Sequence, residues 1–247
     1  MSFPTEVLVL APFLVFAGYV VFGITGFGAA PVIIPVLAHF VPLPDAVALC
    51  TILDVTSGLM LGFHTRRHAD WGELRWLLPF SLLGVVLGVT LLVQLPRDAS
   101  LLALGVFVCA YAVYALAGRG AGRTLPRYLA PPAGMAGGIF GALFGVGGPP
   151  YVMYLSGRIA DAAAMRATIT AMLIVNVSAR LVAFVAAGVL LQGPLWIAAA
   201  ALLPVAALGL WTGNRLHGRA SRQALVRTIA AVLLVMGISL IVRALRM

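Results

Sequence analysis

The chain states one pattern twice. Around Gly26 it reads G-F-G-A-A-P, and around Gly145 it reads G-V-G-G-P-P. At this one fixed offset Pro12 falls on Pro131, Ala17-Gly18 on Ala136-Gly137, Gly28 on Gly147, Pro31 on Pro150, Ala48 on Ala167 and Thr51 on Thr170. Both copies interrupt strongly apolar sequence. Matched Gly/Pro interruptions in corresponding halves are the sequence pointer to a secondary transporter whose site is built from broken helices. The repeat also divides the chain into two halves sharing one core, an N-terminal repeat over 1–118 and a C-terminal repeat over 119–247.

The solvent for such a chain is a bilayer. Of its 247 residues 62% are hydrophobic and only 9% are charged, too few to cover a soluble domain of this size. The formal charge of +9 comes from arginine alone, because the chain has no lysine. Those arginines sit between apolar runs, where they set topology, and not on a basic face suited to nucleic acid. Cys50 and Cys109 lie inside apolar segments and read as packing residues. The N-terminal M-S-F-P-T-E lacks a basic n-region, so the first apolar segment reads as a retained membrane helix.

Each half divides into five apolar segments, near 6–22, 30–41, 45–64, 74–94 and 99–117, then 130–144, 149–157, 163–190, 194–214 and 223–242. A span needs about 20 apolar residues. Segments 30–41 and 149–157 fall short, and each reads as a half-helix joined through its Gly/Pro break to the segment before it. Backbone polar groups freed by such a break cannot face lipid, which places residues 23–31 and 145–150 inside the bundle.

Arginine placement predicts the topology. Loops 64–75 (Arg66, Arg67, Arg75), 118–128 (Arg119, Arg123, Arg127), 157–166 (Arg158, Arg166) and 215–227 (Arg215, Arg219, Arg222, Arg227) are assigned to the cytoplasm. The helix from Asp45 then runs inward and its counterpart from Ala163 runs outward, so the repeats are inverted and both termini are outside. The expected architecture is an all-α polytopic membrane protein of two inverted repeats, each a broken-helix pair plus three spanning helices. G-x-x-x-G pairs at Gly84/Gly88 and Gly209/Gly213 read as close helix packing.

Three features could carry chemistry. The glycine breaks, Thr25, Gly26, Phe27 and Gly28 in one half and Gly145, Val146, Gly147 and Gly148 in the other, present backbone N–H groups at half-helix N-termini. That arrangement favours an anion, and glycine lets a ligand reach the backbone. Arg180 lies in mid-segment with Asn176 one turn before it, and a guanidinium at that depth suits an anionic substrate. Asp54 lies in T-I-L-D-V-T-S beside Thr51 and Ser57. It could neutralise Arg180 or carry a coupling proton, and the sequence leaves both readings open. Ser57 aligns with Asn176 at the repeat offset. His39 and His64 sit at segment ends, and Trp71, Trp76, Trp196 and Trp211 suit the interfacial belts.

No enzyme signature is found: no P-loop, G-x-S-x-G or H-E-x-x-H, and no cluster to hold a metal or cofactor. With V-F-G-I-T-G-F-G-A-A-P-V-I-I-P-V-L (21–37), G-I-F-G-A-L-F-G-V-G-G-P-P-Y-V (138–152) and an A-x-x-T after each (Ala48/Thr51, Ala167/Thr170), the chain resembles the sulfite exporter TauE/SafE family of membrane permeases. The resemblance implies a carrier in the bacterial cytoplasmic (inner) membrane for sulfite, sulfoacetate, other organosulfonates or related small acids. This chain departs from the family pattern in the bulkier G-F-G-A-A-P and in G-G-P-P. The function expected is secondary transport of a small sulfur oxyanion by alternating access. A passive anion channel, a carrier of non-sulfur organic acids and, last, a membrane-embedded enzyme are the alternatives. The expected partners are the anion and the bilayer, without nucleic acid, and a homo-oligomer is left open.

Overall fold

A computed structural model describes residues 5–25, 28–65, 69–116, 125–191, 193–216 and 222–246. The described residues form ten α-helices: α1 (Thr5–Thr25), α2 (Ala30–Leu37), α3 (Leu43–Thr65), α4 (Trp71–Gln94), α5 (Arg97–Leu116), α6 (Ala130–Phe144), α7 (Gly148–Ser156), α8 (Ala162–Ala186), α9 (Gly193–Leu216) and α10 (Arg222–Arg246). There are five per half, with the two short helices directly after the glycine breaks.

Local chemistry sets the ends. The Asp70 carboxylate accepts the Glu73 N–H at 3.1 Å at the start of α4, and Asp161 accepts the Ala164 N–H at 2.7 Å at the start of α8. Each removes one orphan donor of a helix N-terminus. α2 and α7 begin with proline in the first turn, where a missing N–H costs nothing and the fixed φ favours helix. α6 ends at Gly145, which takes a left-handed φ of 69°.

The apolar run 163–190 does not stay helical to its end. α8 stops at Ala186 because Gly188 turns left-handed at φ 77°, the usual glycine stop. The run 30–41 likewise stops being α-helical at Leu37, with Pro42 shortly beyond.

By length and hydropathy, four described helices can cross a membrane: Trp71–Gln94, Arg97–Tyr114, Ala163–Ala186 and Gly193–Leu216. Their outer faces are apolar. α4 alone exposes Leu82, Leu83, Val86, Leu87, Leu91 and Val93, a pattern that suits lipid and not water. Trp71, Trp76, Trp196 and Trp211 are all exposed, and the Arg215 guanidinium stacks 3.9 Å over the Trp211 ring.

Helix packing is reciprocal between the halves. α4 packs on α6 and α9 on α1, so each half's fourth helix meets the other half's first. α3 packs on α8, and α5 on α10. Glycines permit the close crossings. A Cβ on Gly88 would fall 2.7 Å from the Ala142 Cβ, and one on Gly209 would fall 2.7 Å from the Phe16 carbonyl oxygen. Pro79, Gly84 and Gly88 of α4 recur as Pro204, Gly209 and Gly213 of α9 with identical spacing.

Two polar clusters fix which loops share an end. Glu73, Arg127 and Arg158 meet, so the start of α4, the approach to α6 and the residues after α7 lie together. His39, after α2, pairs with Ser239 at 3.0 Å, and its carbonyl accepts from Arg243. The α2–α3 connection therefore lies with the last turns of α10. α3 separates these two ends, and a helix of its length spans about 35 Å.

Candidate functional site

Where they are described, both glycine breaks are enclosed by buried residues, with Gly28 and Gly145 themselves partly buried. Ala29, Ala30 and Pro31 are buried after the first, and Val146, Gly147 and Gly148 in the second. The breaks also touch. A Cβ built on Gly145 would lie 2.6 Å from both Ala30 Cβ and Ile34 Cδ1, and 3.6 Å from Arg180 Nη1. The end of α6, the start of α2 and the Arg180 side chain of α8 therefore converge at one point.

The two breaks differ in their surroundings. Gly28 takes a φ of 96°, and a Cβ there would meet nothing within 4 Å among the described residues. Gly147 is packed, because its Cβ would fall 2.6 Å from the Gly137 carbonyl oxygen. The N–H groups of Gly145 and Val146 are used within the turn, donating to the carbonyls of Gly141 at 3.0 Å and Phe140 at 3.3 Å. Pro149 and Pro150 carry no N–H, which leaves the Gly147 and Gly148 amides as the donors at the head of α7. Gly26, Phe27 and the Thr25 side chain lie outside the described residues, as do the side chains of His64 and Arg166.

Arg180 is 2% exposed. Its Nη1 donates to the Gly141 carbonyl near the C-terminal end of α6, where orphan carbonyls and the helix dipole favour a cation. Nη2 lies 3.6 Å from Asp54 Oδ2, an ion-pair distance beyond hydrogen-bond length. Among the described residues neither Nε nor Nη2 has a hydrogen-bond partner. These two nitrogens form one edge of the guanidinium, the fork that accepts two oxygens of a planar or tetrahedral anion side by side. Leaving such donors buried without acceptors costs about 1–3 kcal/mol, more for a charged group.

Asp54 on α3 completes this centre. Its Oδ1 accepts the Tyr19 hydroxyl of α1 at 2.8 Å, and Ser57 is buried one turn further along α3. Thr51 is buried and donates to its own helix, to the Val47 carbonyl at 2.6 Å. Asn176 takes part in a separate network. Its Oδ1 accepts the Ser81 hydroxyl of α4 at 2.8 Å, Ser81 lies 2.7 Å from the Tyr151 hydroxyl of α7, and the Asn176 amide donates to the Met172 carbonyl at 2.9 Å. Ser57 and Asn176, aligned at the repeat offset, have different surroundings: Ser57 is buried one turn beyond Asp54 on α3, and Asn176 bonds to Ser81 of α4.

Some of these partners carry no sequence signal. Tyr19 looks like any aromatic in an apolar helix, and Ser81 like any serine in one. Glu73 is buried and ties three elements together. It takes Tyr154 at 2.8 Å, Arg158 at 2.7 and 3.1 Å, and Arg127 at 3.4 Å. Arg158 lies outside the spans, and the hydrogen bonds it donates to Glu73 raise its already high pKa further, so it stays a fixed cation. Among the described residues no group of three His, Cys, Asp or Glu could hold a metal.

The comparisons with known proteins agree with this architecture. The model of the family described as "Sulfite exporter TauE/SafE" matches residues 10–240. The chain is similar to a protein of Comamonas testosteroni described as "Probable inner membrane transporter protein TsaS", at 27% identity over 193 residues, covering 78% of this chain and 81% of that one. No solved structure matches the chain. These relatives are transporters and not enzymes, and the inner membrane is where a multi-pass chain with these spans resides. This chain therefore belongs to the sulfite exporter TauE/SafE family of membrane transporters.

Proposed function

We propose that this transporter moves a small sulfur-containing oxyanion, such as sulfite, sulfoacetate or another organosulfonate, across the inner membrane by alternating access. The observation that carries the reading is the free edge of Arg180. A buried guanidinium whose Nε and Nη2 lack acceptors, set where the two glycine breaks meet, suits an anion presenting two oxygens side by side. A sulfonate or sulfite group does so, and the family description points to the same class of anion. Gly28, open at its Cβ position, lets such a group reach the backbone of the first break. The Gly147 and Gly148 amides offer donors from the second.

The reciprocal packing of α4 on α6 and α9 on α1 interleaves the two repeats, 1–118 and 119–247, about this centre, so the bodies that move in alternating access each draw helices from both repeats. Inverted orientation makes the two ends of the site equivalent, as alternating access requires.

Uptake into proteoliposomes of sulfite, thiosulfate, sulfoacetate, taurine and non-sulfur carboxylates tests the substrate class. Saturable uptake of one or more sulfur oxyanions, lost in Arg180→Ala, is expected. Uptake of carboxylates alone overturns the sulfur reading. Flux that does not saturate overturns the carrier reading in favour of a channel.

A further inference from the structure

We propose that Asp54 makes the Arg180 site select singly charged oxyanions over doubly charged ones, with Tyr19 as the positioning residue that holds Asp54 in that role. This deepens the oxyanion reading above and rests on it, and it narrows that reading to the singly charged members, hydrogen sulfite and monosulfonates, over the sulfite and sulfoacetate dianions.

The centre carries one positive and one negative side chain. Arg180 is 2% exposed and Asp54 8% exposed, so neither charge is screened by solvent. Asp54 Oδ2 stands 3.6 Å from Nη2, at the edge where an anion would bind. Its other oxygen is tied to the Tyr19 hydroxyl at 2.8 Å. Tyr19 is itself fully buried on α1, against Gly209 of α9. The carboxylate is thus anchored from one side and faces the guanidinium on the other. It cannot swing away from an incoming anion without giving up that hydrogen bond. The ionisable groups that face Asp54 are Tyr19 from α1, Cys50 from its own helix and Arg180 from α8. Among these described neighbours Arg180 is the single cation.

Charge arithmetic follows. A monoanion on the Arg180 edge brings the buried cluster to one net negative charge. A dianion brings it to two, with the additional charge close to Asp54. Like charges at that range in a dry site separate two ligands by roughly ten- to a hundredfold in affinity. Breaking the Tyr19 bond would let the carboxylate retreat and reduce the discrimination.

Methanesulfonate and thiosulfate test this, because they share a sulfonate-like head and similar size and differ by one charge. Competitive uptake is measured in proteoliposomes of the full chain at neutral pH. The unmodified protein is expected to favour methanesulfonate by roughly tenfold or more. Asp54→Asn is expected to abolish or invert that ratio, and Tyr19→Phe to narrow it. Equal uptake of the two anions, or a preference for thiosulfate accompanied by proton uptake, overturns the proposal and leaves the oxyanion reading standing. An unchanged ratio in Asp54→Asn also overturns it. Uptake of neither anion, with saturable uptake of a carboxylate, overturns the sulfur-oxyanion reading itself. Should Asp54→Asn not insert, the unmodified chain and Tyr19→Phe still decide the matter.

Discussion

Gly145 and Ala30 meet across the middle of the bundle, and a Cβ on the glycine would stand 2.6 Å from that of the alanine. The two interruptions of the chain are therefore one place in space. α6 ends there, α2 begins there, and Arg180 reaches in from α8 to the Gly141 carbonyl. Because the contact leaves no room at Gly145 and the Gly28 Cβ position is open, the same substitution acts differently on the two breaks.

Gly145→Ala combines a left-handed φ with the clash against Ala30 and Ile34. Strain and overpacking together cost about 2–5 kcal/mol, seen as a large fall in melting temperature. Gly28→Ala meets no neighbour among the described residues and carries backbone strain of about 1–2 kcal/mol there. It is expected to weaken substrate affinity about ten- to a hundredfold by blocking approach to the backbone. Gly84→Ala and Gly209→Ala, at helix crossings, lose stability with little change in affinity. Thermal melts beside uptake KM separate these outcomes. If Gly28→Ala binds normally and only melts sooner, the first break is structural.

Arg180→Ala is expected to abolish transport in a protein that still inserts. Arg180→Lys is expected to be nearly as poor, because an ammonium has no two-donor edge. If Arg180 served only to balance Asp54, the double variant Asp54→Asn with Arg180→Gln would transport normally, and uptake by that variant is the check.

Glu73→Ala removes the acceptor shared by Tyr154, Arg158 and Arg127. The expected loss is about 1.5–3 kcal/mol, with α7 loosened from α4. Arg127→Ala is expected to cost under about 1 kcal/mol, since that side chain is 55% exposed and its pairing is screened. Melting temperatures of the two variants should differ in that order.

If the repeats are inverted, the α3–α4 connection lies in the cytoplasm and the turn after α8 outside. In a background free of Cys50 and Cys109, cysteines at Asp70 and Leu191 should label from opposite sides with a membrane-impermeant maleimide. Labelling of both from one side would remove the inversion.

The helices were legible because run length against bilayer thickness is a one-dimensional test. Residues 30–37 and 148–156 are too short to cross, and a glycine with proline just beyond marks where each begins. Gly188 also closed α8 at Ala186, four residues short of the end of its apolar run, since the backbone turns left-handed at that glycine whatever the hydropathy of the residues around it. Asp54 and Arg180 stood out as charges in apolar segments, and their possible pairing followed from cost alone.

Their other partners did not. Tyr19 on Asp54, Ser81 between Tyr151 and Asn176, and Arg158 on Glu73 join helices far apart in the chain, and nothing in the local residues distinguishes those hydroxyls from any others in an apolar helix. The sequence by itself determined where this chain crosses, where it breaks and which residues are costly to bury, because those depend on local composition and spacing. Only the tertiary structure decided which buried polar groups satisfy one another and which edge of Arg180 is left over. That depends on how α1, α4, α6 and α9 cross at their glycines, and a rotation of any one of them would present a different set of side chains.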